Sequence, residues 1–157
     1  MPRILSVRVV SLPDYDPDLS YLGEYNSNPD GDCVIDRQER GDMERNQFRY
    51  FHPAMTGEET GNPDSPEQDY QRCEAYSRCD WCMVGVRADA EVQLSNGGPV
   101  QDIRSGGLWG IESDSDKSYF SQVEGEELAQ LRAELLLLGF SEEAIDAAFD
   151  AVESVEA

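Results

Sequence analysis

The stretch "MVGVRADAEVQL", Met83 to Leu94, decides the fold. Val84, Val86, Ala88, Ala90, Val92 and Leu94 take every second position, with Gly85, Arg87, Asp89, Glu91 and Gln93 between them. Successive strand side chains point to opposite faces, so this period of two predicts a half-buried strand of an antiparallel sheet. "SNGG", Ser95 to Gly98, supplies a hairpin turn. "PVQDIR" is then the return strand, "SGG" (Ser105 to Gly107) a second turn, and "LWGI" (Leu108 to Ile111) a third strand, giving a meander over residues 83–111. "ILSVRVVSL", Ile4 to Leu12, reads as a further strand ended by Pro13. The expected fold class is α+β: an antiparallel sheet of about four strands packed with one central helix and a C-terminal helical hairpin.

The central helix starts at "SPEQ", Ser65 to Gln68. Ser65 can cap, Pro66 suits the first turn, and Gln68 completes a capping box. The helix should run to about Ser77, with Tyr70, Cys73 and Tyr76 or Ser77 inward. "ESDSD", Glu112 to Asp116, precedes a second helix to Leu138, weakened at Gly125 and closed by Gly139. Ser141 then caps a last helix, Phe140 and Ile145 are spaced as a hydrophobic staple, and Ile145, Ala148, Phe149 and Val152 repeat at helical spacing. The hairpin spans 116–154. Between Asp14 and Ser65 the periodicity is lost among Asp, Asn, Gly and Pro, which predicts loops and short pieces held by "FRYFHP", Phe48 to Pro53. The length of 157 residues fits a single domain, 1–157.

Charge is the outlier. Thirty-three acidic residues face twelve basic ones, a net of −21, and Lys117 is the one lysine. Residues 112–157 hold thirteen acids against two bases, half the excess. Such a field repels nucleic acid and anionic membranes and leaves basic protein surfaces as natural partners. "MPRILSVRVVSLPDYD" has neither a long apolar run nor a small-residue cleavage signal, and no segment has the apolar length of a membrane span, so the expected location is the cytoplasm, with thiols reduced.

"NSNPDGDCVID", Asn26 to Asp36, begins like a calcium loop, with oxygens at Asn26, Asn28, Asp30 and Asp32 and glycine sixth at Gly31. The twelfth position, where a bidentate glutamate belongs, is Arg37, so an acidic turn is the better reading. Cys73, Cys79 and Cys82 are close in sequence, and with Cys33 or His52 could complete a zinc site. Cys73 also fits the buried face of its helix, and the favoured reading has no cofactor. His52 is the one histidine and has no nucleophile motif beside it, so no catalytic residue is assigned.

Binding is the favoured function. "GLWGIESDSD" offers an acidic edge of Glu112, Asp114 and Asp116 with Trp109 as its anchor. On the last helix Glu143, Asp146, Asp150 and Glu153 succeed one another every three or four residues, stepping by roughly 5–6 Å. Like charges so placed cost about 0.2–0.5 kcal/mol per pair, so folding does not explain them. One explanation is a row that imitates nucleic-acid phosphates and occupies a basic groove on a DNA-handling or defence protein. Another is adaptation to a salty cytoplasm, with arginine retained over lysine. A third function class is a small zinc-binding module.

"YLGEY", "IDRQERGD", "RNQFRYFHP", "EQDYQRCEAYSRCDWC", "VGVRADAEV" and "SGGLWGIESDSDKSY" together resemble a family of short acidic proteins from phages, mobile elements and environmental prokaryotes. The resemblance runs from Tyr21 to about Val152 and implies a prokaryotic or viral setting without a known activity. "LLLLGFSEEAIDAAFDAV", Leu135 to Val152, is also similar to the helix pair of ubiquitin-associated domains, over those residues alone.

Overall fold

The computed structural model describes residues 1–44 and 47–157; Arg45 and Asn46, part of the expected irregular segment, lie outside the described residues. In chain order the elements are β1 (Arg3–Pro13), β2 (Gly23–Asn26), β3 (Ile35–Asp36), α1 (Arg37–Arg40), β4 (Tyr50–Pro53), α2 (Gly57–Thr60), α3 (Ser65–Ser77), β5 (Met83–Gln93), β6 (Val100–Arg104), β7 (Leu108–Glu112), α4 (Lys117–Leu137), α5 (Glu142–Phe149) and β8 (Glu153–Glu156). The protein is mixed α and β. The chain forms two compact units: Met1–Tyr15 with Cys82–Ala157, and Asp16–Trp81.

The first unit is built on β5. Its partner β1 pairs with it antiparallel over their whole length, from Arg3 opposite Gln93 to Pro13 opposite Val84. The apolar face acts as its alternation predicts. Ala88, Ala90 and Val92 join Val7 and Val9 of β1 in one buried cluster, closed by Leu131 and Leu135 of α4, Phe140, and Ile145 of α5. The opposite face of β5 is not simply solvated: Gly85, Asp89 and Gln93 are buried as well. A strand with neighbours on both edges loses access from the sides, so its polar positions are covered too.

The expected meander is corrected. β6 and β7 do not pair with each other; both lie antiparallel along the same edge of β5, β6 opposite Asp89–Gln93 and β7 opposite Met83–Val86. "SGG" is therefore a sideways jog that keeps the chain's direction, not a reversing turn. Its backbone groups find partners in α4. The amides of Ser105 and Ala88 tie the jog to β5, at 2.9 Å to Ala88 O and 2.8 Å to Ser105 Oγ. Glu127 Oε1 accepts from Ser105 Oγ at 2.8 Å and from the Gly107 amide at 2.7 Å, and Gln130 Oε1 accepts from the Gly106 amide at 2.6 Å. Buried donors left unpaired would destabilise this junction, so Glu127 is held inside for a structural reason.

A second correction concerns the last helix and the sheet's composition. The helix ends at Phe149, not near 154, and Glu153–Glu156 forms β8, parallel to β1 from Arg8 opposite Glu153 to Ser11 opposite Glu156. The sheet has five strands and is mixed. Val152 still packs on the apolar cluster, but from extended chain. Leaving the helix there lets the backbone satisfy the open edge of β1. The start of the hairpin matches its signals: Ser141 Oγ accepts from the Ala144 amide at 3.1 Å, and the staple residues Phe140 and Ile145 share the core.

The second unit holds a three-stranded antiparallel sheet, β2-β4-β3, with "YFHP" as its middle strand. Phe51 is fully buried between Tyr25 and Tyr70, with ring centroids 5.1 and 5.4 Å away. Tyr70 and Cys73 are the inner face of α3, as their spacing predicts. So the central helix belongs with this small sheet. Its expected capping box does not form. Asp64 takes the cap position, while Ser65 Oγ lies 2.7 Å from Thr60 Oγ1 and Gln68 Oε1 accepts from Asn62 Nδ2 at 3.4 Å. The short helix α2 just upstream supplies these competing partners.

Candidate binding surface

Trp109 is placed by a glycine. Its ring lies against Gly85 across the β5–β7 pairing, and a Cβ there would come within 2.6 Å of Trp109 Cδ2 and Cζ3. One face of the indole thus completes the fold, and the residue is 46 % exposed. Glu112 ends β7, Asp114 lies in the turn that follows, and Asp116 takes the cap position of α4. This half of the expected surface is contiguous in the chain.

The other half is elsewhere, and it is not one helical row. Glu143 and Asp146 lie on α5, Asp150 is its C-cap, and Glu153 opens β8. Asp146 Oδ1 is also 2.7 Å from Arg132 Nη1, so its charge is already compensated. β7 and β8 occupy opposite edges of the sheet with β5 and β1 between them. Three inter-strand steps separate them by roughly 14 Å. The eight carboxyl-and-indole positions expected to act together form two separate groups.

Neither a family model, nor a curated protein, nor a solved structure matches this chain.

Among the described residues no three His, Cys, Asp or Glu side chains gather where they could hold an ion. Cys73 is buried on α3, and burial, with help from Asp69 and Glu74, pushes its thiol up to about 11, away from the thiolate a metal needs. Cys33, Cys79 and Cys82 are exposed, and His52 Nε2 sits 2.7 Å from Asn28 O. The calcium-like loop uses its oxygens on itself: Asn26 Oδ1 accepts from the Asn28 amide at 2.9 Å and Asn28 Oδ1 from the Asp30 amide at 3.0 Å. Arg37, in the place of the closing ligand, is buried with its Nη2 3.1 Å from Glu74 and its guanidinium over the Tyr25 ring.

Five of the described arginines have fixed tasks. Arg49 grips Asp36 through Nε and Nη2 at 2.9 and 2.7 Å, Arg40 meets both oxygens of Glu67 at 2.7 Å, and Arg87 holds Asp89 at 2.8 and 3.3 Å. Arg3 places Nε and Nη2 on Gln93 Oε1, and Arg72 stacks 3.8 Å above Trp81. A planar fork makes these two-point bonds and stacks, and an ammonium does not. The preference for arginine therefore has a local cause in this fold. Asp89, 1 % exposed, shows the need: Arg8 and Arg104 flank it at 3.8 Å beside the bonds from Arg87.

Charge in the first unit is divided. Arg3, Arg8, Arg87 and Arg104 share the sheet face turned from the helices with Asp89, Glu91 and Asp102, so that face is close to neutral. On the other side, residues 117–150 carry eight carboxylates against Lys117 and Arg132. At the end of α4, four leucines run together, and only Leu135 enters the core. By its sequence "LLLLGF" reads as part of a hairpin. The overlooked signal is elementary: consecutive helical residues turn by about 100°, so a run of four cannot all face inward.

Proposed function

We propose that this chain is a non-enzymatic acidic binding protein that meets a basic protein surface with the layer formed by α4 and α5. The observation that carries the reading is the division of charge in the first unit, with eight carboxylates against two bases over residues 117–150 and a nearly neutral opposite sheet face, where four arginines meet Asp89, Glu91 and Asp102. A field of one sign on one face speeds encounter with an oppositely charged partner and orients it. The finer idea of a phosphate-imitating inhibitor loses its regular row, because Asp150 caps, Glu153 lies on a strand and Asp146 is paired. It remains as a special case in which the partner's basic groove normally holds DNA.

Adaptation to brine is the second reading, favoured by the even spread of charge: seventeen acids and six bases in the first unit, sixteen and six in the second. The two-point arginine bonds remove its other support, since they explain the scarcity of lysine without salt. A salt series separates the two. The binding reading expects the full chain to be folded in dilute buffer, and to hold a designed helical hairpin with a lysine-covered face by an affinity that falls steeply as salt rises. A chain that folds only in molar salt and ignores the hairpin supports adaptation instead.

A further inference from the structure

We infer that the crown of leucines at the end of α4 is the docking point of that layer, and that its partner offers a concave apolar pocket rimmed by lysine or arginine. The inference rests on the acidic-layer reading and adds the place and the shape of the contact.

Leu136, Leu137 and Leu138 are 39 %, 88 % and 54 % exposed. They fan around the helix end while Leu135 is fixed beneath them. The corner is rigid. The Gly139 amide donates to Leu136 O at 3.0 Å and the Phe140 amide to Leu135 O at 3.1 Å, with Gly139 at φ +97°. This is the Schellman arrangement, and its usual apolar clasp is present because Phe140 and Leu135 share the core. Three adjacent leucines held outward on a fixed backbone are a preorganised apolar knob, and a knob is complementary to a pocket.

Charge chooses the rim of that pocket. Glu134 stands three and four residues before Leu137 and Leu138, hence beside them on the helix surface. Glu142 and Glu143 open α5 immediately past the corner. The last turn of α4 carries no basic residue, although the negative end of the helix dipole favours one there. The nearest cation in sequence, Arg132, is held by Asp146. Apolar centre, negative collar and negative helix end together fit a partner with the opposite collar. A second copy of this chain does not fit, since its own Glu134, Glu142 and Glu143 would meet these across the contact.

The test uses the full chain, methyl-labelled on leucine, and two designed helical hairpins with equal lysine content. One has an inter-helix groove lined with leucine, the other with serine. The inference expects the leucine-grooved hairpin to bind about tenfold tighter than the serine one, with shifts centred on Leu136–Leu138, and Leu137→Ser to remove that advantage. Because Leu137 lies outside the core, the variant should keep the native circular dichroism, and the Leu136→Ser variant serves if it does not. Equal binding of both hairpins overturns the inference while the acidic-layer reading stands. Binding of neither overturns both. Concentration-dependent dimerisation through the same methyls also overturns it.

Discussion

The two units carry nearly the same net charge, −11 and −10, but the carboxylates that brace the core of one contrast with those on the helical layer of the other. In Asp16–Trp81 the acids hold the fold. Asp36 caps α1 and grips Arg49, Glu67 grips Arg40, Glu74 accepts from Tyr25 Oη at 2.8 Å and pairs with buried Arg37, and Asp42 accepts from Tyr70 Oη at 2.7 Å. In the other unit an aliphatic sheet and two helices form the core, and most acids of the helical layer point away from it. A small unit with little aliphatic core needs ionic and aromatic contacts to be stable. A unit with a larger core leaves its acids available for something else.

The largest break in this contrast should come from Arg37. Arg37→Ala would leave the Glu74 carboxylate without its cation and the Phe48 carbonyl without its donor in a buried place, and cost about 3–5 kcal/mol, read by urea unfolding. A loss under about 1 kcal/mol would mean the ionic network does not hold the second unit. In the first unit, Gly85→Ala should force Trp109 off its seat and cost about 1–3 kcal/mol, with a red-shifted Trp109 emission in a Trp81→Phe background. An unchanged spectrum would show that the indole does not need that glycine.

Acid should sharpen the difference. The bonded guanidinium of Arg49 holds Asp36 below its ordinary value, and that of Arg40 does the same for Glu67. Groups with lowered folded values add stability that is present above the unfolded value of about 4 and is lost as pH falls through the lowered one. Asp69, raised by burial, works in the other direction: its contribution is full below the unfolded value and fades as pH rises. With Asp18, held low by its bonds from Ser20, joining Asp36 and Glu67 against the one raised group, Asp69, the second unit should loosen on acidification, reported by Trp81 in a Trp109→Phe chain. Trp81 emission that stays constant down to about pH 2 would contradict this.

The smallest effect belongs to the helical layer. Glu143→Gln should change stability by less than about 0.5 kcal/mol, as for an exposed position with no bonded partner among the described residues. A larger loss would place that carboxylate among the structural ones and erase the contrast.

Much of the frame was legible in the chain. The period of two over Met83–Leu94, the Gly139–Ser141 signals and the inward Tyr70 and Cys73 depend on local chemistry, and local chemistry prevailed. The failures have one cause. Whether β7 pairs with β6 or β5, whether Glu153 lies on a helix or beside β1, and whether Ser65 or Asp64 caps α3 depend on which partner is near, and spacing does not carry that. The candidate surface suffered most. The carboxylates were countable, but their separation across the sheet follows from tertiary placement; the outward leucines follow from the helical turn alone.

The most direct test of the central claim is a hydrogen-exchange footprint of the full chain with the lysine-faced hairpin in dilute buffer. The account predicts protection concentrated in residues 117–150 and erased by salt. Protection centred on Asp16–Trp81, or on the arginine face of β1 and β5, would contradict it.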